Sequence, residues 1–150
     1  VVSAFHIARC LALGADWCNS ARGFMFALGC VQSRNCHTDQ CPTGVATQDP
    51  IRQRAIDVPD KAQRVFHFHT NTLHALAELL GAAGLAAPSQ ITPHHLMVRG
   101  EHGRAYPLST AIDTLAAGAL LAGAEQSQPL PPIFAQYWPM ARANRWTAEA

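Results

Sequence analysis

Apolar residues near the start of the chain recur at helical spacing. Val1, Phe5, Ala8 and Leu11 stand at i, i+4, i+7 and i+10, which predicts one helix over residues 1–13. Gly14 is placed to end it. Residues 15–19, Ala-Asp-Trp-Cys-Asn, have the length of a buried strand, and residues 21–30 predict a turn running into a short helix. Helix, strand, turn and helix in succession is an α/β alternation, suited to a parallel sheet or barrel. The clearest helix is predicted over 60–84, where Val65, Phe66, Leu73, Leu76 and Leu80 share a broad face. Asp60 is its expected N-cap, Gln63 completes a capping box, and Gly81 and Gly84 mark the end. Further on, Thr92-Pro93 starts a short helical turn, the Ala/Leu-rich part of 105–124 predicts helix, and Gln-Pro-Leu-Pro-Pro at 128–132 is extended. The aromatics between 134 and 146 are expected to pack.

Composition narrows the class. With 150 residues the chain suits one domain, and a formal charge of +1 excludes bulk nucleic acid or an anionic membrane surface as an electrostatic partner. Hydrophobic residues make up 49%, which permits a core, although much of that fraction is alanine. No run approaches the ~18 apolar residues of a membrane span. The uncapped apolar opening, without initiator Met or leader pattern, reads as the middle of something longer. Among the 11 basic residues only Lys61 is a lysine, a bias read as compositional.

Residues 29–50 have neither helical nor strand period, and a long structureless stretch inside a domain is usually functional. It carries three of the five cysteines, Cys30, Cys36 and Cys41, as C-x5-C-x4-C followed by Pro42. An odd, clustered set argues against a secreted disulfide framework and for a reducing, cytoplasmic compartment with a metal or redox role. Thiolates hold iron–sulfur clusters, and three without a fourth in the loop point to a three-iron cluster. Cys10 or Cys18 could add a fourth ligand only if the fold brought it close. Two other readings stay open: a zinc site of three cysteines and His37, for which the spacing is wide, and thiols with no metal. A second candidate is the turn Ser20, Ala21, Arg22 and Gly23, between strand and helix. Small residues there admit a ligand, a helix N-terminus offers N–H groups to an anion, and Arg22 adds charge; an ordinary turn would look the same. His67, His69, His74, His94 and His95 lack an evident acidic partner and are expected to be surface or packing residues.

Gly-Ala-Asp-Trp-Cys-Asn-Ser-Ala-Arg-Gly-Phe at 14–24 and the GC-x5-C-x4-CP-x-GVATQDP stretch at 29–50 resemble the end of the flavin-binding synthase domain of glutamate synthases. The likeness runs on through the VPDKAQRVFHFHTNTLHALAELLGAAGL helix, covers about residues 1–100, and is closest to stand-alone glutamate synthase-related proteins. It implies a C-terminal fragment of a (β/α)8 TIM barrel holding FMN with a 3Fe-4S cluster beside it. Cys30, Cys36 and Cys41 would be the cluster ligands. Residues 1–13 would be helix seven and 15–19 strand eight. Ser20, Ala21, Arg22 and Gly23 would form part of the FMN phosphate cradle, although the larger family has a glycine- and threonine-containing turn there. The resemblance divides the chain into 1–58 as the barrel end with the cluster loop, 59–100 as the helical remainder, and 101–150 as an extension. The implied reaction is reductive amination of 2-oxoglutarate to glutamate, with glutamine or ammonia as amine source and an electron-donor protein or reduced nicotinamide as reductant. A barrel of this kind needs ~250 residues, so the family's catalytic positions and the rest of the barrel would lie in a missing N-terminal part. Two alternatives accompany this reading: a flavin and iron–sulfur oxidoreductase with another substrate, and a non-catalytic module in which the cysteines bind zinc.

Overall fold

The chain divides into two units, Val1–Leu96 and Met97–Ala150, in a computed structural model that describes residues 1–121 and 129–144. The first unit is helical. Helix α1 spans Ala4–Ala12 and is capped by Ser3, whose hydroxyl accepts from the His6 amide. Helix α2 spans Arg22–Leu28, the short α3 spans Pro50–Gln53, and the long α4 spans Val58–Ala82. Helices α1 and α2 both pack on α4.

The burial pattern differs from the expected faces for a steric reason. On α1 the buried stripe is Ala4, Ala8 and Ala12, while Phe5 remains 52% exposed. Small residues at i, i+4 and i+8 give a helix a smooth stripe that another helix can approach closely. On α4 the buried residues are Leu76 and Leu80, and Phe66 of the predicted face is open. The α2 contact is made where Gly23 meets α4. A Cβ there would stand 2.7 Å from Phe68 Cζ, so only glycine lets the helices come this close. Phe24 and Phe68 then meet edge to face at 5.2 Å.

Helix α4 begins earlier than predicted. Its cap is Asp57, whose carboxylate accepts from the Asp60 amide at 2.9 Å, and Pro59 occupies the first turn, where its missing N–H costs nothing. Asp60 therefore lies inside the first turn. Three helices end alike. After α1, Gly14 N–H donates to Leu11 and Ala15 N–H to Cys10; after α2, Gly29 donates to Phe26 and Cys30 to Met25; after α4, Gly84 donates to Gly81 and Leu85 to Leu80. This is the Schellman pattern, and the positive φ values of +97°, +107° and +73° at Gly14, Gly29 and Gly84 are the left-handed step it requires.

The strand expected at 15–19 is absent. Residues 15–20 are irregular, and Trp17 is 82% exposed. A strand needs a hydrogen-bonded neighbour, and none lies beside this segment among the described residues. The sheet that does occur is in the second unit, where β1 (Met97–Arg99) pairs antiparallel with β2 (Ala105–Pro107), Val98 facing Tyr106. Gly100 N–H closes the hairpin on the Arg104 carbonyl at 2.8 Å. The helix expected over 105–124 is not formed: β2, a 3₁₀ turn at Leu108–Thr110 and irregular chain fill it as far as residue 121, and 122–124 lie outside the described residues. The extended Pro-rich segment is present at 129–131, residue 128 being outside the description, but Pro132 opens helix α5, Pro132–Tyr137. Of the aromatics expected to pack, Tyr137 and Trp138 remain about half exposed, Phe134 is partly buried, and Trp146 lies outside the described residues. The Thr92-Pro93 turn is present as a 3₁₀ turn over Pro93–His95.

Candidate cofactor site

The cysteine loop starts from a fixed point. Cys30 is the residue whose N–H completes the Schellman closure of α2, so its backbone is anchored to the helix end. Beyond it residues 30–49 form no helix or strand. Three non-glycine residues, Gln32, Arg34 and Asp39, take left-handed φ of 58°, 61° and 63°. Such conformations cost energy and persist only where surrounding contacts hold them. One holding group is Asp39. Its carboxylate accepts from the Thr47 hydroxyl at 2.9 Å and from the Gln48 N–H, while the same hydroxyl donates to the Asp39 carbonyl at 2.6 Å. The Gln48 amide, then the Thr47 hydroxyl and the Arg52 charge hold the Asp39 carboxyl below its usual range. Gln53 Nε2 donates to the Thr47 carbonyl at 2.9 Å, and Asp49 caps α3 through the Ile51 and Arg52 amides. Gly44 closes the loop onto α3, where a Cβ would run into the Arg52 carbonyl, and its φ of +74° excludes most side chains as well.

Cys41 is buried by this arrangement, Cys30 is half-buried and Cys36 is exposed. The Cys41 sulfur lies 3.5 Å from the Thr43 hydroxyl. That contact, followed by the N–H groups of Ala46, Thr43 and Val45, brings the thiol down to about 7. A sulfur ringed by donors is stabilised as thiolate, the form that binds metal. Cys30 and Thr43 share the lining of a cleft of about 560 Å³ with Pro42, Lys61 and Arg64. Cys36 does not line it, and among the described residues no three His, Cys, Asp or Glu side chains are gathered as a metal would need. The loop therefore presents the three thiols, one already primed, without bringing them to a single point. Cys10 and Cys18 are instead neighbours of each other. Burial first, then the Cys10 thiol beside it, pushes the Cys18 thiol up.

The second candidate turn precedes α2. Ser20 donates its hydroxyl to the Val1 carbonyl at 2.8 Å. Ala21 and Arg22 are exposed, Gly23 is buried against Phe68, and the first turn of α2 has no side-chain cap. Ser20 also lines a mainly apolar cavity of about 340 Å³ with Val2, Trp17, Cys18, Phe24 and Phe68.

The conserved region in glutamate synthase, as a family model, matches residues 1–86, more than half of the chain and all of both candidate segments. The chain belongs to the glutamate synthase family. Relatives include the glutamate synthase large subunit-like protein YerD of Bacillus subtilis, 44% identical over 97 residues, which are 65% of this chain and 18% of that protein. The archaeal glutamate synthase (NADPH) of Methanocaldococcus jannaschii is 35% identical over 92 residues, 61% of this chain and 18% of that one. The ferredoxin-dependent glutamate synthase of Pyropia yezoensis is 35% identical over 89 residues, 58% of this chain and 6% of that one. The chain thus spans less than a fifth of the length of these glutamate synthase relatives. No solved structure matches it. In this glutamate synthase family member, the residues that shape the cysteine loop were not singled out in the sequence: Asp39, Thr43, Gly44 and Thr47 from the loop, and Lys61 and Arg64 from α4. The signal was present in the form of polar residues with short side chains inside an otherwise patternless segment, the usual source of loop-internal hydrogen bonds. One histidine also has an acidic partner after all: His74 Nε2 lies 3.4 Å from Glu78 one turn away, both exposed. No helix among the described residues is long and apolar enough to cross a membrane.

Proposed function

We propose that this chain is the cluster-bearing C-terminal part of an FMN- and 3Fe-4S-dependent glutamate synthase, the end of a (β/α)8 barrel completed by other parts of the protein. The division proposed is residues 1–58 for the barrel end and loop, 59–100 for the helical remainder and 101–150 for an extension. The observation that carries this reading is the loop of Cys30, Cys36 and Cys41 inside the family-matched segment, with the Cys41 sulfur already ringed by one hydroxyl and three backbone N–H groups. Such donors are what a metal-bound thiolate or a bridging sulfide accepts. Three thiols are the donor type of an iron–sulfur cluster, and Cys30, Cys36 and Cys41 would be its ligands once the loop gathers them, which it does not do among the described residues. For FMN the fit is to one edge of a phosphate: the uncapped first turn of α2 and the exposed Arg22 offer donors to an anion, while the Ser20 hydroxyl is engaged by the Val1 carbonyl.

When bound, the two groups supply one-electron relay and hydride transfer to an imine formed from 2-oxoglutarate and ammonia, drawn from glutamine or free in solution. The chain's own share is placement. Asp39 and Gly44 fix the loop on α3, Thr43 and the amides after it stabilise negative charge on Cys41, and Gly23 seats the phosphate turn against α4. The reductant is either an electron-donor protein or a reduced nicotinamide. The test is turnover by the intact protein: 2-oxoglutarate with glutamine or with ammonium, dithionite-reduced methyl viologen as reductant, and glutamate as the product measured. Glutamate formation accompanied by loss of flavin absorbance on reduction supports the reading. A protein that carries flavin but forms no glutamate from either amine source moves it to another substrate.

A further inference from the structure

Cys10 and Cys18 lie outside the cysteine loop, and the fold sets them side by side. Helix α1 ends in the left-handed step at Gly14, after which the chain turns back along the helix. The returning segment 15–20 is pinned at both ends. Ala15 N–H donates to the Cys10 carbonyl at 3.1 Å, and the Ser20 hydroxyl donates to the Val1 carbonyl at 2.8 Å. Cys18 falls between the pins. It lines the mainly apolar cavity together with Ile7 and Leu11 of α1. Cys10, three positions after Ile7, belongs to the same side of that helix. The two thiols are direct neighbours. Both are half-buried, covered enough to be held and open enough to meet a small reagent. Only eight positions separate them, so closing the intervening loop costs little chain entropy.

We propose that Cys10 and Cys18 form a redox modification site: they close to an intrachain disulfide under a small-molecule disulfide oxidant and reopen under a thiol reductant, and the closed form locks segment 15–20 onto α1. Neither thiol belongs to the loop of Cys30, Cys36 and Cys41, and the step uses no bound metal or flavin. The Cys10 thiolate attacks the S–S bond of the oxidant, forms a mixed disulfide and releases one thiolate of the oxidant. Cys18 then attacks the Cys10 sulfur, forms the intrachain bond and releases the other. Two electrons pass from the pair to the oxidant, and the two protons pass to the released thiolates. Burial first, then the Cys10 thiol, push the Cys18 thiol up. A mixed disulfide at Cys10 carries no charge on that sulfur, so the second of these influences is relieved as the ring is about to close. In a reducing compartment the pair rests as two thiols and closes only under oxidation.

The experiment equilibrates the intact protein in mixtures of reduced and oxidised glutathione, then quenches, alkylates and digests it with trypsin. Cleavage after Arg9 and Arg22 puts Cys10 and Cys18 together on one peptide, residues 10–22, and leaves Cys30, Cys36 and Cys41 on others. The closed pair is read as that peptide escaping alkylation, about 2 Da lighter than the dithiol. Native positioning should raise the closing equilibrium constant at least about tenfold above that of the same protein in denaturing urea, and dithiothreitol should reverse the closure. Ser20→Ala, which keeps both thiols and removes one pin, should cut that native excess by at least about half. Cys18→Ser should leave Cys10 as a glutathione adduct. In the oxidised protein, amides of segment 15–20 should exchange severalfold more slowly, and those in the middle of α4 at an unchanged rate. Equal closure in native and urea-denatured protein, glutathione adducts without ring closure, or pairing of Cys10 or Cys18 with a cysteine of the loop would overturn the proposal.

Discussion

Two side chains and one missing side chain organise the cysteine loop. The Asp39 carboxylate ties the loop to the Thr47–Gln48 segment, and the absence of a Cβ at Gly44 lets that segment meet α3. Replacing Asp39 by alanine should speed hydrogen exchange at the Gln48 amide by at least severalfold. Amides in the middle of α4 should not change, because the bond lost is local. Gly44→Ala should destabilise the loop by about 1–3 kcal/mol in urea unfolding, since it combines a left-handed φ with a collision against the Arg52 carbonyl. An unchanged midpoint would show that the loop relaxes around the new methyl. The cysteines themselves were legible in the sequence because thiols at close spacing have few ordinary uses. Their supports were not, since Asp39 and Thr47 lie eight positions apart in a segment without period, and only the fold brings them together.

Among the elements, the helices α1 and α4 were readable, whereas the strand at 15–19 and the helix over 105–124 were misread and α3 and α5 were not foreseen. Periodicity located α1 and α4, and Gly14 and Gly84 marked their ends, because a Schellman closure demands a left-handed residue at a defined place; α2 was legible only as a short helix after a turn. What failed was the choice of face. Phe5 and Phe66 looked like core and are exposed, whereas Ala4, Ala8 and Ala12 form the buried stripe of α1. Burial between closely approaching helices favours small residues that hydrophobicity alone ranks low. Leu76→Ala or Leu80→Ala should therefore cost about 2–5 kcal/mol, and Phe66→Ala under about 0.5 kcal/mol. Equal losses at Leu76 and Phe66 would mean that the α4 face is covered differently in solution. At the start of the same helix, Asp57→Ala should cost about 1 kcal/mol as a lost N-cap, and more than Asp60→Ala, whose backbone N–H is the group Asp57 satisfies. The missing strand at 15–19 has a different cause. Strands are defined by neighbours, and a five-residue window cannot reveal whether a neighbour exists.

For the molecule as a whole, exposed apolar surface is the dominant feature. Phe5, Trp17, Val31, Ile51 and Phe66 of the first unit are each more than half exposed, a surplus of open large side chains for a soluble monomer. Under the proposed function, further polypeptide of the same protein covers part of this surface. Residues 1–150 expressed alone should then self-associate in light scattering and bind FMN weakly, whereas a monodisperse, flavin-binding preparation would contradict that assignment. The measurement that bears most directly on the central claim is a metal and sulfide count on the anaerobically purified intact protein, compared with its Cys30→Ser, Cys36→Ser and Cys41→Ser variants. The account predicts about three irons and about four sulfides per chain, as in a 3Fe-4S cluster ligated by three thiolates, with an EPR signal in the oxidised wild type and loss of both in each variant. Wild-type levels of iron, sulfide and signal in any one of the three variants, or zinc in place of iron in the wild type, would contradict it.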